Sequence, residues 1–314
     1  MSKTVKVFSR CIGLNNKVAP MRFEYTPQHG LGNLSEAVNV DIEVTGGIKS
    51  RDGFSSLLSM EGIHSLWSEG DWCFFVYGTE LYRMNASFVT SLQVAGLTGS
   101  AKMSYCVCGD RVFYSNGYQQ GAIVEEAVEP WANVNPVSAD GLREFSGPPL
   151  GTSLLYFAGR VWIADEKTLW FSEPYDPYSY NLAENYFIFD SEIKDLAQVV
   201  TGFYVMTRHC VDFVRGTEID KMLRLDASNS IPVFNTFKVI DGHEYLANGN
   251  RADKINGKAV LWLSQEGILV GKDNGDVLNS TIASLDIPKP TQDGGAAMFV
   301  DGKYVVTSEV DNGD

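Results

Sequence analysis

Four histidines, His29, His64, His209 and His243, are the only imidazoles in the 314-residue chain, and none falls in an HExxH pair, at a metal-ligand spacing or beside a GxSxG elbow. His209-Cys210 sets a base next to a thiol, but neighbours on a strand point to opposite faces and cannot share a hydrogen bond. Carboxylates are the other candidates, because glycosidases place two acids across a scissile bond. Asp165, Glu166, Glu173, Asp176, Glu184 and Asp190 fall in or near turns between expected strands, and no spacing singles out a pair. Asp273-Asn274-Gly275-Asp276 and Asp311-Asn312-Gly313-Asp314 invite calcium, yet a calcium loop needs at least about six oxygens, whereas Asn-Gly by itself makes a tight hairpin turn. The turn is the simpler reading. Cys11, Cys73, Cys106, Cys108 and Cys210 form no CxxC pair, and Cys106 and Cys108 share one strand face as core residues do. The expectation is a chain with free thiols and no catalytic, cofactor or metal residues: not an enzyme.

Those residues hang on strands. Leu154 to Ser172 reads as an antiparallel meander, with β-branched and aromatic runs broken at Ala158-Gly159 and at Asp165-Glu166-Lys167. Val161 and Ile163 point one way, Trp162 and Ala164 the other, so both faces are apolar. A sheet with one wet face would alternate apolar with polar residues, and this one must be covered twice.

A glycine opening an apolar strand recurs at Gly70, Gly109, Gly159, Gly202, Gly257 and Gly302, a mean spacing of about 46 residues, close to that of propeller blades. Six meanders, each apolar on both faces, predict an all-β, six-bladed β-propeller, with five to seven blades compatible with the uneven repeat. The last repeat stops after two strands, at Ala296 to Val300 and Lys303 to Ser308. Val38, Val40, Ile42 and Val44, then Thr45-Gly46-Gly47, then Ile48 to Phe54 form a hairpin with no blade of its own. Pairing the two ends would complete the last blade and remove an open edge. Residues 1–35 are read as an irregular N-terminal arm lying on the domain or on a partner, and residues 36–314 as one propeller domain in which residues 36–58 complete the last blade.

Composition narrows the function classes. A formal net charge of −14 argues against a sequence-specific grip on nucleic acid, which needs clustered Lys and Arg. No leader precedes the first polar residues, and no apolar run approaches the ~18 residues that span a bilayer, so a soluble protein assembled in a cytoplasm is expected, without membrane insertion. Asn85-Ala86-Ser87 and Asn279-Ser280-Thr281 match the glycosylation sequon, which has no meaning without secretion.

Gly30-Leu31-Gly32, then Ala37-Val38-Asn39-Val40-Asp41, then Gly46-Gly47-Ile48-Lys49-Ser50-Arg51-Asp52-Gly53-Phe54 resembles the opening of tailed-bacteriophage virion β-propellers, the tail nozzle and hub proteins. The loop Ser172-Glu173-Pro174-Tyr175-Asp176-Pro177-Tyr178-Ser179-Tyr180-Asn181 is similar to one that these proteins carry between blade strands. Nozzle proteins are longer and carry extra domains, so nozzle, hub, tail tip and fibre adaptor all stay open. The resemblance implies a non-enzymatic structural component of the virion tail, acting in assembly and DNA delivery in a multi-copy complex with adaptor, hub or fibre proteins. The alternative is a carbohydrate-binding or glycan-cleaving propeller for host recognition. In it, the tyrosines of the Tyr175 to Tyr180 loop form a sugar platform, rather than packing over the blade or contacting a protein.

Overall fold

Two-residue turns join β-branched and aromatic runs into consecutive antiparallel sheets. The computed structural model describes residues 10–17, 31–42, 46–53, 55–99, 101–125, 127–134, 136–138, 141–244, 255, 257–282, 284–300 and 302–310. Four strands precede the ring: β1 (Arg10–Leu14) and β2 (Leu31–Leu34), which pair in parallel, and the hairpin β3 (Val40–Ile42) and β4 (Ile48–Ser50). Blade 1 comprises β5 (His64–Glu69), β6 (Trp72–Tyr77), β7 (Glu80–Met84) and β8 (Thr90–Ala95). Blade 2 comprises β9 (Ser104–Cys108), β10 (Arg111–Ser115), β11 (Gln120–Val124) and β12 (Ala127–Glu129). Blade 3 follows with β13 (Ser153–Phe157), β14 (Arg160–Asp165), β15 (Thr168–Phe171) and β16 (Tyr186–Ile188). Blade 4 has β17 (Ile193–Gln198), β18 (Gly202–Thr207), β19 (Val211–Arg215) and β20 (Leu223–Ser228). Blade 5 has β21 (Lys238–Asp241), β22 (Lys258–Ser264), β23 (Gly267–Gly271) and β24 (Val277–Asn279), and the two-stranded sheet β25 (Ala296–Val300) and β26 (Lys303–Thr307) comes last.

Within each sheet the strands pair in chain order, and each sheet packs on the next. Phe74, Val76 and Leu81 of blade 1 meet Tyr105, Val112 and Ile123 of blade 2. Phe113 and Ala122 of blade 2 meet Leu154, Val161 and Ile163 of blade 3. Trp162 and Leu169, on the other face of blade 3, meet Phe203, Val205 and Val214 of blade 4. Tyr204, Met206 and Phe213 then pack on Val260, Trp262 and Leu269 of blade 5, whose far face carries Phe299 and Tyr304 of β25 and β26. Two-sided burial, expected from the Val161 to Ala164 alternation, holds for blades 2 to 5. One cavity is lined by residues of β5, β9, β13, β17, β21 and β25. Consecutive meanders stacked face to face, with their first strands around a central channel, form a β-propeller.

The repeated glycine serves two ends. At Gly70, Gly109, Gly159, Gly257 and Gly302 the backbone is left-handed, φ +56° to +80°, as two-residue hairpin turns require. Gly202 is different: a Cβ there would sit 2.2 Å from the Val214 carbonyl oxygen, so the contact is with the neighbouring strand's backbone.

The N-terminal part departs from expectation in two respects. The arm is not wholly irregular, since β1 and β2 form a parallel pair; of the two placements expected for it, its described residues take the one on this chain's own domain. Asn16 N–H donates to the Ser284 carbonyl (3.0 Å), Asn16 Nδ2 to that of Asp286 (2.9 Å) and Lys17 Nζ to that of Ile282 (2.7 Å). The hairpin β3–β4 does not extend the β25–β26 ladder among the described residues; the two remain separate two-stranded sheets. A side-chain bridge joins them, from Lys303 Nζ to Asp41 Oδ2 at 2.6 Å, with Arg51 Nε on the other carboxylate oxygen at 3.3 Å. These charges hold the Asp41 carboxyl below its ordinary range. Residues 43–45 and 301 lie outside the described residues.

Trp162 is the anchor between blades 3 and 4. It is fully buried, its Nε1 donates to the Phe157 carbonyl at 3.0 Å, and its ring centroid lies 5.0 Å from Phe171 and 4.9 Å from Phe203. Truncating such a side chain removes apolar area and leaves a cavity, so Trp162→Ala is expected to lower the unfolding free energy by about 3–5 kcal/mol. Denaturant unfolding measures this; a loss under about 1 kcal/mol would show that the blade 3–blade 4 seam does not depend on it.

Candidate functional site

The starts of the first strands meet at one mouth of the channel, where short polar side chains link blades 1 to 4 in succession. Ser65 Oγ accepts from Met103 N–H (2.8 Å), Ser104 Oγ accepts from Leu154 N–H (2.9 Å), and Ser153 Oγ lies 3.5 Å from Asp195 Oδ1. The register of β17 on β18 shifts between Ile193 and Asp195, and a bulge of this kind re-aims a side chain. Asp195 reaches the channel wall and accepts from its neighbour Leu196 N–H at 2.9 Å.

Burial pushes the Asp195 carboxyl up to about 6, against the opposing pull of the Leu196 N–H, Lys238, Ser153 and Lys102. The Lys102 ammonium is itself pushed down by burial, with Asp195 and Asp293 acting to raise it. Lys102 comes from the approach to blade 2, Asp195 from blade 4, Lys238 from blade 5 and Asp293 from the segment before β25, so the fold gathers charges 191 residues apart in sequence around one opening. Glu192 belongs to a different set: Lys194 Nζ is 2.5 Å and Arg208 Nη2 3.0 Å from its two oxygens, with Lys194 and Arg208 over the Phe234 ring. The channel has a volume of about 1380 Å³ and continues past the ends of the first strands, where Glu69, Asp241, Glu244 and Lys258 line it.

A carboxyl titrating near neutrality suits proton transfer, but catalysis also needs a second group in reach. His64, in the same wall, is held at Nδ1 by Ser65 Oγ and at Nε2 by the Gly99 carbonyl, each at 2.9 Å. The carboxylates that the sequence offered as acid candidates lie outside the channel lining. Asp165, the last residue of β14, is raised by burial, and Glu166, in the turn that follows, has left-handed backbone. Glu173 accepts from Asn185 Nδ2 (2.8 Å), Asp176 from Tyr178 N–H (3.0 Å) and Glu184 from Asn181 Nδ2 (3.0 Å), while Asp190 pairs with Arg224 (2.6 Å). Among the described residues no group of three or more His, Cys, Asp or Glu is placed to hold a metal.

The remaining sequence candidates find structural places. Asp273 Oδ1 accepts from the Val200 and Thr201 N–H groups at 2.6 and 3.0 Å, which clasps a blade 5 turn to a blade 4 turn. The Asp311 to Asp314 stretch and His29 lie outside the described residues, and His243 is exposed. His209 and Cys210 sit in the turn before β19 rather than within a strand, and Cys210 Sγ is 3.3 Å from Thr207 Oγ1. All five cysteines are free, and burial pushes the Cys73, Cys106, Cys108 and Cys210 thiols up. The tyrosines of the Tyr175 to Tyr180 loop do not share a surface. Tyr180 is fully buried, Tyr178 packs edge-on to Phe113 at 5.8 Å, and Trp131 Nε1 ties the loop down at the Pro177 carbonyl (2.8 Å). Tyr175 alone is open, 83% exposed with φ +58°. No described helix is long and apolar enough to cross a membrane.

No family model matches the chain, and no curated protein matches it. Among solved structures, it is similar to the Pan2 WD40 domain of Neurospora crassa, with 11% identity, a TM-score of 0.43 and coverage of 70% of this chain and 63% of that one. A virginiamycin B lyase from Staphylococcus aureus is similar at 12% identity and TM-score 0.46, over 73% of this chain and 71% of that one. A gluconolactonase from Xanthomonas campestris is similar at 10% identity and TM-score 0.45, over 79% and 83%. Two of the three are enzymes and one is a WD40 domain, and at these levels no activity carries over.

Asp195 gives a pH signature with a definite sign. Its folded-state carboxyl is raised above the unfolded value, so its ionised form destabilises the fold: the penalty is absent below about pH 4, develops as pH rises, and is complete above about pH 6. Part of the residue still meets channel solvent, so Asp195→Asn is expected to stabilise the protein by about 1–2 kcal/mol at pH 8, with the gain vanishing near pH 4. Thermal melts of both proteins across that range test it; a pH-independent difference would remove the ionisation from the account.

Proposed function

We propose that the chain is a non-enzymatic structural component of a bacteriophage tail, a nozzle, hub, tail-tip or fibre-adaptor building block. Its loops would engage adaptor, hub or fibre proteins in a multi-copy complex within the virion, assembled in the host cytoplasm. The resemblance of residues 30–54 and 172–181 to tail propellers motivates this reading. The observation that carries it is the use made of the side chains: the candidate acids sit in turn, loop and inter-blade bonds, while large apolar side chains stand open at the periphery. Val134, Val137 and Leu142, in the long connection between blades 2 and 3, are 79%, 50% and 83% exposed, and Ile188 and Leu223 on the outermost strands of blades 3 and 4 are 64% and 60% exposed. Exposed apolar groups concentrated on loops and rims suit contacts with other subunits.

The described arm residues rest on the chain's own 282–286 segment, so they hold the body, and subunit contacts fall to the loops. The glycan alternative keeps one feature, the exposed Tyr175 ring; a single ring without a neighbour makes a poor platform, and silence on a glycan array would remove it.

Mass spectrometry of purified phage particles is expected to find this chain in several copies per particle, and a tagged copy is expected to co-purify with tail proteins. Particles lacking it would overturn the assignment.

A further inference from the structure

We propose that the central channel is a receptor for an extended peptide segment of a partner protein, one with an apolar centre and a basic end. Three features of the channel point to that chemistry, independently of the tail assignment. First, each of the strands lining it is terminal in its sheet, so among the described residues its inner edge has no strand partner. A strand edge offers alternating N–H and C=O groups, and an extended main chain supplies the complementary acceptors and donors along its length. Second, the wall exposes apolar side chains between its mouths: Leu66 of β5 is 64% exposed and Val239 of β21 is 41% exposed, both lining the cavity. Alternate side chains of an extended peptide would cover them, at roughly 25 cal/mol for each Å² removed from water.

Third, the two mouths differ in charge. Among the described residues of the lining, Lys102 and Lys238 balance Asp195 and Asp293 at the starts of the strands, whereas at the far ends three carboxylates, Glu69, Asp241 and Glu244, stand with one cation, Lys258. The acidic mouth fixes the direction of the occupant by taking its Lys or Arg end. Nucleic acid fits neither this acidic exit nor the apolar wall, and a sugar would leave Leu66 and Val239 without an apolar partner.

The probe is a fluorescein-labelled, acetylated octapeptide of alternating leucine and threonine ending in two lysines, with a version ending in two glutamates as its counterpart, followed by fluorescence anisotropy on the full chain. Saturable binding of the lysine-ended peptide is expected, with the glutamate-ended one at least about tenfold weaker, as like charge at the acidic mouth requires. Leu66→Asp and Val239→Asp, at exposed wall positions, are expected to abolish binding while thermal melts stay close to the parent, and Leu142→Asp, on the rim, is expected to change nothing. No saturable binding, equal binding of the two peptides, or binding that survives both wall substitutions would overturn the inference. A chain present in particles but without peptide affinity would sink this inference and leave the tail reading standing; peptide affinity in a chain absent from particles would do the reverse.

Discussion

The constraint from which the rest follows is that each sheet in the interior of the array is apolar on both faces. A sheet in that condition cannot stand alone or as half of a sandwich, since one face would always meet water. A closed or nearly closed stack of sheets supplies two neighbours to each. Trp162 and Val161 show the constraint at single-residue resolution: consecutive side chains, both fully buried, one packed toward blade 4 and one toward blade 2. With the faces occupied by packing, only strand edges, turns and the channel remain free to meet anything else.

That division explains the placement of charge. A carboxylate between blades would face desolvation with little to offset it, and Asp212 illustrates the difficulty: its side chain is 1% exposed, and Arg224 at 3.1 Å is the counter-charge that accompanies it. At the channel mouth the same groups sit beside water and beside one another, and a carboxyl such as Asp195 can remain half-compensated. Serine does related work there. Ser65 and Ser104 each present a hydroxyl to the backbone of the next first strand, so the strands are bound around the axis without paired edges.

Much of the fold was legible because its signals are local. Period-two burial, turn pairs such as Ala158-Gly159 and the recurrent glycine depend on neighbours in sequence, and they located the blades to within a residue or two. The hairpin was legible for the same reason, and the last repeat it was expected to complete is the one whose Lys303 it meets; the mode of joining was not legible, because it depends on how the two ends of the chain come together, and among the described residues the link is the Asp41–Lys303 pair rather than a ladder. The channel cluster left no local trace either. Asp195 looks like an ordinary strand carboxylate until a bulge turns it toward Lys102 and Lys238, and Asp273 looks like a turn residue until its carboxylate is seen holding the blade 4 amides of Val200 and Thr201. Tyr178 and Tyr180 were ambiguous between surface and core because a loop with Pro174 and Pro177 can fold either way, and Phe113 and Trp131, which draw them inward, lie at least 47 residues earlier.

Net charge is a poor guide to what the channel presents. The chain carries −14 overall, yet at the strand-start mouth Lys102, Lys194 and Lys238 face Glu192, Asp195 and Asp293, a balanced set. The surplus acid therefore lies elsewhere, and at physiological ionic strength its influence fades over about 8 Å. A group entering this mouth responds to the few charges within that distance, whereas a large partner approaching the rim meets the acidic surface as a whole. One chain can thus repel polyanions over its exterior while presenting, at the axis, a small opening of mixed sign whose preferences are set by individual side chains.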